Sequence, residues 1–480
     1  MSLAEERSDE DMRKAILILI LLFGLCLGGA MWVFGDALEK NDQVQVTENV
    51  LYGDASAGDG LSLTMHTNFD HHLFWDISYS PNSPEKTSAE YRVSPKEDYD
   101  AGEYEHTGIY LGAHLDHYYD IEERGHLYTG IGKAYYELYL EVQPGEYKTK
   151  EIYIKDYIDY YPISGDMDLP GLAMTMYPEE SAWNAYSEAN NLEAYEILNE
   201  YFRIPVLEEE THEFHLGKDE NGKLRSAGGG SGNCEDFFSI YTHSIVMPDA
   251  VYFTIHNRSN MKNALMDTSL IPGGYGIYRL PYTFENGSYD VDFKGLSTAK
   301  SLDEEFEISY MMTDEAEEHI ILIGRSYNQL RVLVIDARTM ETKQDILICD
   351  DGRTGCWQYY RGEDFLVLGI EEGRLALLEQ LNSGEYVLKF VVDDIADGKY
   401  YDRYTSEAWA WNGEKLAVCG FKSLDDIYER YVVDFYYAVF DESGLICFTD
   451  CDSSLCVNKD EQWSGVRARD FDAMELEWVQ

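Results

Sequence analysis

The hydrophobic pattern of the chain changes character once, near its start. Residues 15–34 (AILILILLFGLCLGGAMWVF) form an uncharged apolar run. At about 1.5 Å per residue, a helix of that length reaches about 30 Å, the thickness of a bilayer's hydrocarbon core. Arg13 and Lys14 precede the run. The next basic residue, Lys40, sits among Asp36, Glu39 and Asp42. Basic residues stay on the cytoplasmic side, so the N-terminus is expected inside and the bulk of the chain outside. The pattern therefore predicts a cytoplasmic tail at 1–14, a single-pass transmembrane signal anchor at 15–34 and an extracytoplasmic remainder at the cell membrane. A competing reading uses the small residues Gly28, Gly29 and Ala30 as a signal-peptide cleavage site, which would make the protein secreted. Cys26 follows Leu25 where a lipoprotein signal needs a small residue, so lipid attachment there is rejected.

Beyond the run, residues 35–60 are polar and contain glycine, and read as a stalk. Strand-like alternation then dominates residues 61–480. In residues 136–142 (YELYLEV), Tyr136, Leu138, Leu140 and Val142 share one face, the period of a half-buried strand. The turn Pro144-Gly145 follows, and residues 151–161 read as the partner strand. Residues 179–202 break the alternation. There Trp183, Tyr186, Leu192, Tyr195, Leu198 and Phe202 recur at helical spacing after Pro178, which predicts one inserted amphipathic helix. Residues 228–232 (GGGSG) read as a flexible loop and mark a sub-boundary near 226–233.

The C-terminal half repeats. Strand patterns at 320–324 (IILIG), 365–369 (FLVLG) and 416–420 (LAVCG) each end in glycine. Each precedes a second strand, at 332–336, 375–381 and 435–441, and then a tight turn. A third strand follows, as at 386–392. Short antiparallel strands recurring every 40 to 50 residues or so are the signature of propeller blades. Residues 332–346 (VLVIDARTMETKQDI) resemble the strand, D-A-x-T-G turn and strand of quinoprotein-like and WD-like β-propeller repeats, with Met340 where glycine is usual. Residues 438–448 (AVFDESGLICF) are similar, and 273–283 (GGYGIYRLPYT) look like an inner strand. The resemblance covers residues 250–450 and implies a fold without a function. The expected fold class is all-β: a β-propeller-like ectodomain with one inserted amphipathic helix, behind a single N-terminal transmembrane helix.

Composition narrows the partners. The formal charge is −53, which repels phosphate backbones and argues against nucleic acid and against anionic lipid beyond the anchor itself. Hydrophobic residues make up 45% and aromatic residues 14%, so the charge does not signal disorder. Eight cysteines, one of them in the apolar run, fit no zinc template. Buried thiols are the plain reading, with a bridge between Cys349 and Cys356 as the alternative.

Histidine is unevenly placed: His66, His71, His72, His106, His114, His117 and His126 fall within one stretch. His114, Asp116, His117 and Asp120 are the candidate metal ligands, for zinc, with calcium the other ion that so many carboxylates would suit. Against them, residues 114 and 117 lie on opposite faces of a strand. His212 and His215 are one residue short of the zincin H-E-x-x-H spacing. Asp350, Gly352 and Thr354 match part of the Asp-box turn of sialidase-like propellers, while Ile348 and Trp357 depart from it. No nucleophile elbow, P-loop or dinucleotide fingerprint occurs. The sequence thus predicts a membrane-anchored, non-catalytic binding or scaffolding protein with a protein or glycan ligand at the cell envelope. The alternative is an extracellular hydrolase, a glycosidase or peptidase, that uses paired carboxylates, with or without a metal.

Overall fold

The computed structural model describes residues 18–19, 21–29, 31, 44–69, 73–93, 107–113, 115, 121–178, 190–231, 240–257, 266–285, 288–314, 316–352, 355–371, 373–393, 406–421, 434–453 and 470–479. They are mostly β-strand, the ladders between named strands are antiparallel, and most join neighbours in sequence. The chain forms two compact units, one from residues 1–102 with 358–480 and one from 103–357.

In the first unit the repeat becomes sheets. Phe365–Ile370, Arg374–Gln380 and Tyr386–Asp393 form a meander, at whose edge lies the strand Cys356–Arg361, its first two residues belonging to the second unit. Ala408–Trp411, Leu416–Phe421, Phe435–Asp441 and Gly444–Ser453 form the next. Its fifth strand is Val46–Gly53, paired with Gly444–Ser453 from the far end of the chain. Reciprocally, Asp470–Trp478 pairs with Leu61–Phe69, the first strand of the meander that continues through Leu73–Tyr79 and Ser88–Val93. Two apolar layers fill the unit, one around Leu63, Ile77, Tyr79, Phe435 and Tyr437, the other around Val367, Leu377, Leu416 and Phe440.

Part of the segment 35–60, expected as a stalk, is folded. Residues 46–53 are a paired strand, 55–58 a short 3-10 turn capped by Asp54, and 35–43 lie outside the described residues. The described part of the apolar run, 18–19, 21–29 and 31, is helical, with Leu19, Leu21, Phe23 and Leu25 exposed. Among the described residues no helix is long and apolar enough to cross a membrane, and the rest of 15–34 lies outside them.

The second unit holds a four-stranded meander, Phe306–Thr313, His319–Ser326, Gln329–Asp336 and Thr342–Cys349. A second meander runs Ile240–Met247, Ala250–Asn257 and Gly276–Glu285, with Ser288–Val291 and Ser297–Ser301 both on the last strand. Most of residues 273–283 thus lie in the strand Gly276–Glu285, which is paired on both sides. Met340 takes φ +59°, the left-handed conformation in which glycine is the ordinary occupant, so the hairpin keeps the backbone of the repeat without its usual residue.

Residues 136–142 are corrected from strand to helix. Gly130–Glu141 is an α-helix that buries Ile131, Ala134, Tyr135 and Leu138, with Val142 buried at its end. That spacing is helical, and it becomes visible only when the window extends back before Tyr136. Leu140, assigned to the buried face by alternation, is 59% exposed. The partner strand at 151–161 is corrected too: Tyr147–Tyr153 pairs with Thr211–Lys218, and 154–156 form a 3-10 turn. The inserted helix is described as Leu192–Tyr201, capped by the Asn191 side chain, which accepts from the Ala194 amide. Trp183 and Tyr186 lie outside the described residues.

The glycine-rich loop is also corrected. Residues 228–231 belong to the strand Leu224–Ser231, paired with Thr211–Lys218 inside the second unit. A Cβ on Gly228 would lie 2.4 Å from His215 Nε2, and one on Gly229 2.7 Å from His212 Nε2. Glycine leaves room there for the imidazoles of the neighbouring strand, so the run reflects close packing rather than flexibility.

Candidate functional site

The candidate metal ligands His114, Asp116, His117 and Asp120 lie outside the described residues, as do His71, His72 and His106. Among the described residues no group of three or more His, Cys, Asp or Glu side chains is placed to hold a metal ion. His66 sits across the ladder from Asp76 and bonds it through Nδ1 at 2.7 Å. His212 is buried edge-on to Phe214, while His215, on the opposite face of the same strand, stacks over Tyr147. Thr354 of the Asp-box match lies outside the described residues. Cys349 and Cys356 are thiols rather than a disulfide, and Cys419, Cys447 and Cys451 are buried thiols.

The structure brings together a different set of residues. Within the second unit, a cavity of about 310 Å³ opens between two neighbouring meanders. One wall is the hairpin Ile240–Met247 and Ala250–Asn257, with Tyr241 directly opposite His256. Tyr241 and His243 point to the same side because alternate residues of a strand share a face. The rings form a ladder: Tyr241 on His256 at 5.5 Å, and His256 on His243 at 5.8 Å between centroids. Tyr310 from the other wall tilts against His243 at 5.6 Å.

The second wall is Phe306–Thr313 with His319–Ser326. Glu307 stands opposite Arg325 in the register, and Arg325 Nε donates to Glu307 Oε2 at 2.6 Å. Gly324 makes this approach possible, since a Cβ there would lie 2.6 Å from the Glu307 carbonyl oxygen. The ladder slips between Ile308 and Tyr310, which leaves Ser309 as an extra, unpaired residue. Its backbone turns instead to the His243 ring. His243 Nε2 is buried without a hydrogen bond, while the Ser309 backbone, as an acceptor toward the ring, favours the protonated form. Burial pushes the His243 pKa below the ordinary imidazole value, and the Ser309 bond opposes this only in part. The ring is held neutral. Gly355, Cys356 and Trp357 complete the lining, and Tyr310 donates its hydroxyl proton to the Trp357 carbonyl at 2.5 Å.

No residue of this cavity stands out in the sequence. A signal was present nonetheless: Pro248-Asp249 is a two-residue hairpin turn, and counting outward from it places Tyr241 against His256. In the first unit, a smaller void of about 50 Å³ beside Tyr360 and Trp409 has room for a few waters at most.

The sequence matches no protein-family profile and no curated protein. Similar solved structures include β-propeller domains. The Swd1 β-propeller domain of Myceliophteria thermophila is 9% identical, covers 50% of this chain and 82% of its own, and has a TM-score of 0.22. The Dos1 propeller is 9% identical, with coverage of 49% and 54% and a TM-score of 0.24. Cobalt-substituted apocarotenoid oxygenase of Synechocystis is 11% identical, with coverage of 85% and 93% and a TM-score of 0.25. At these scores the matches carry no argument about the fold, and what the structure shows is a set of antiparallel meanders.

Proposed function

We propose that the protein is a single-pass, membrane-anchored binding protein whose propeller-like ectodomain faces outward and takes a protein or glycan ligand at the cell envelope. Residues 15–34 supply the anchor in this reading. The ligand enters the cavity between the hairpin 240–257 and the strands 306–326. The observation that carries the proposal is the make-up of that wall. It offers aromatic faces, and among the described residues its lining includes one carboxylate, Glu307, already held by Arg325. Hydrolysis of a glycoside needs a second carboxylate, about 5 to 10 Å from the first.

The test has two arms. The full chain expressed in cells should pellet with membranes after alkaline washing and be cleaved by protease added from outside. Photo-crosslinking from position 241 in intact envelopes should then capture a discrete ligand that the Trp357→Ala protein captures less well. A hydrolytic activity abolished by Glu307→Gln would overturn the non-catalytic reading in favour of a hydrolase.

A further inference from the structure

We propose that the cavity is a subsite for one uncharged sugar ring. The inference rests on the binding reading above and names the chemistry of its ligand. Three observations carry it.

The first is size. At about 310 Å³ the cavity lies at the bottom of the range of about 300–1,000 Å³ typical of small-molecule sites, which suits a single ring better than a peptide with several side chains. The second is the distribution of flat surfaces. Tyr241, at the open end of the ladder, is 40% exposed, and Trp357, across the cavity, is 39% exposed. A pyranose presents an apolar C–H face that packs on such rings while its hydroxyls stay at the edge.

The third is the geometry of the ion pair. Both Arg325 Nε and Arg325 Nη2 approach the same oxygen, Glu307 Oε2, each at 2.6 Å. Glu307 Oε1 and Arg325 Nη1 make no hydrogen bond within the described protein. They leave an acceptor and a donor of the lining for a ligand. Hydroxyls of a sugar meet them, one donating to Oε1 and another accepting from Nη1. Charge decides between neutral and ionic ligands. The guanidinium and the carboxylate cancel, His243 is held neutral, and the chain carries −53 overall, so nothing in the wall attracts an anion. A cation would have to displace Arg325 from Glu307.

The test is calorimetric titration of the full chain, in a detergent without a sugar headgroup. The ligands are methyl glycosides of neutral hexoses and N-acetylhexosamines, with glucuronate and glucosamine for comparison. A neutral glycoside is expected to bind one to one in about the millimolar range, as a ligand of its size should. Glu307→Gln should weaken it about tenfold to a hundredfold, the usual effect of losing a charged hydrogen bond. Tyr241→Ala should weaken it too, while Tyr241→Phe, which keeps the ring, should not; thermal melts confirm that each variant is folded. Tighter binding of glucuronate or glucosamine, with the same sensitivity to Tyr241→Ala, overturns the neutral-sugar assignment and leaves the cavity a binding site. A neutral glycoside bound equally well by wild type, Glu307→Gln and Tyr241→Ala overturns this cavity as its site. If no glycoside binds but position 241 still crosslinks a ligand in envelopes, the sugar assignment fails and the binding reading stands. If neither is seen, both fail.

Discussion

The imidazole rings of His243 and His256 stack with centroids 5.8 Å apart and planes 21° from parallel. Tyr241, Tyr310, Glu307, Arg325 and Cys356 line the same cavity. Burial disfavours the charged form of His243, and the Ser309 backbone offsets this only in part. Its folded pKa is therefore depressed, and the unfolded chain binds the proton more readily. The stability that His243 contributes is complete above about pH 6.5, the ordinary imidazole value, and is lost as pH falls below it. Thermal melts between pH 8 and pH 5 should show Tm falling across that window. His243→Phe, which keeps a ring in the ladder and cannot titrate, should flatten the decline. Asp336, held at about 2 by the Thr339 amide, and Glu379, lowered by Lys389, titrate below this window. An unchanged slope in the variant would remove His243 as the cause.

Leu138 and Leu140 separate helix from strand. In a strand they share a face and their truncation would cost alike. In the helix Gly130–Glu141, Leu138 is 1% exposed and Leu140 59%. Leu138→Ala should therefore cost about 2–5 kcal/mol, and Leu140→Ala within about 0.5 kcal/mol, by urea denaturation. Equal losses would reinstate the alternating pattern.

Tyr327, in the turn between His319–Ser326 and Gln329–Asp336, has φ +56° and is 73% exposed. It bears the cost of a left-handed backbone without packing in return. Tyr327→Gly should raise stability by up to about 1 kcal/mol. Met340→Gly, at φ +59°, should gain less, because Met340 packs against the core around Ile308 and Ile335.

Cys419, Cys447 and Cys451 lie in the apolar layer shared with Phe435 and Tyr437, and burial pushes all three thiols up. A thiol-specific disulfide reagent at pH 8 should leave them unmodified in the native protein and react with them in denaturant, because the thiolate is the reactive form. Rapid labelling of any of the three under native conditions would contradict the packing.

The repeat was legible in sequence because each blade strand carries its own local signal. Residues 320–324, 365–369 and 416–420 fall in His319–Ser326, Phe365–Ile370 and Leu416–Phe421, and the hairpins after them fold as expected. Where the signal depended on distant partners, the reading failed. Alternation over 136–142 is indistinguishable from one side of a helix when seen through seven residues. The glycines at 228–230 became strand residues because the histidines that need their space lie on Thr211–Lys218. The cavity was hidden for the same reason: Glu307 and Arg325 meet only through a register, and Ser309 reaches His243 only through a bulge.

The interlaced pairing of Val46–Gly53 with Gly444–Ser453, and of Asp470–Trp478 with Leu61–Phe69, sets a timetable for biosynthesis. Val46–Gly53 has no partner until all the chain between it and Gly444–Ser453 has emerged. During that wait Val50, Leu51 and Tyr52, which stay exposed even in the finished fold, add to an unpaired β-edge of the kind that invites aggregation. The slow step in assembling this unit is thus the docking of two distant segments. Cells making the protein must shield Val46–Gly53 until Gly444–Ser453 arrives.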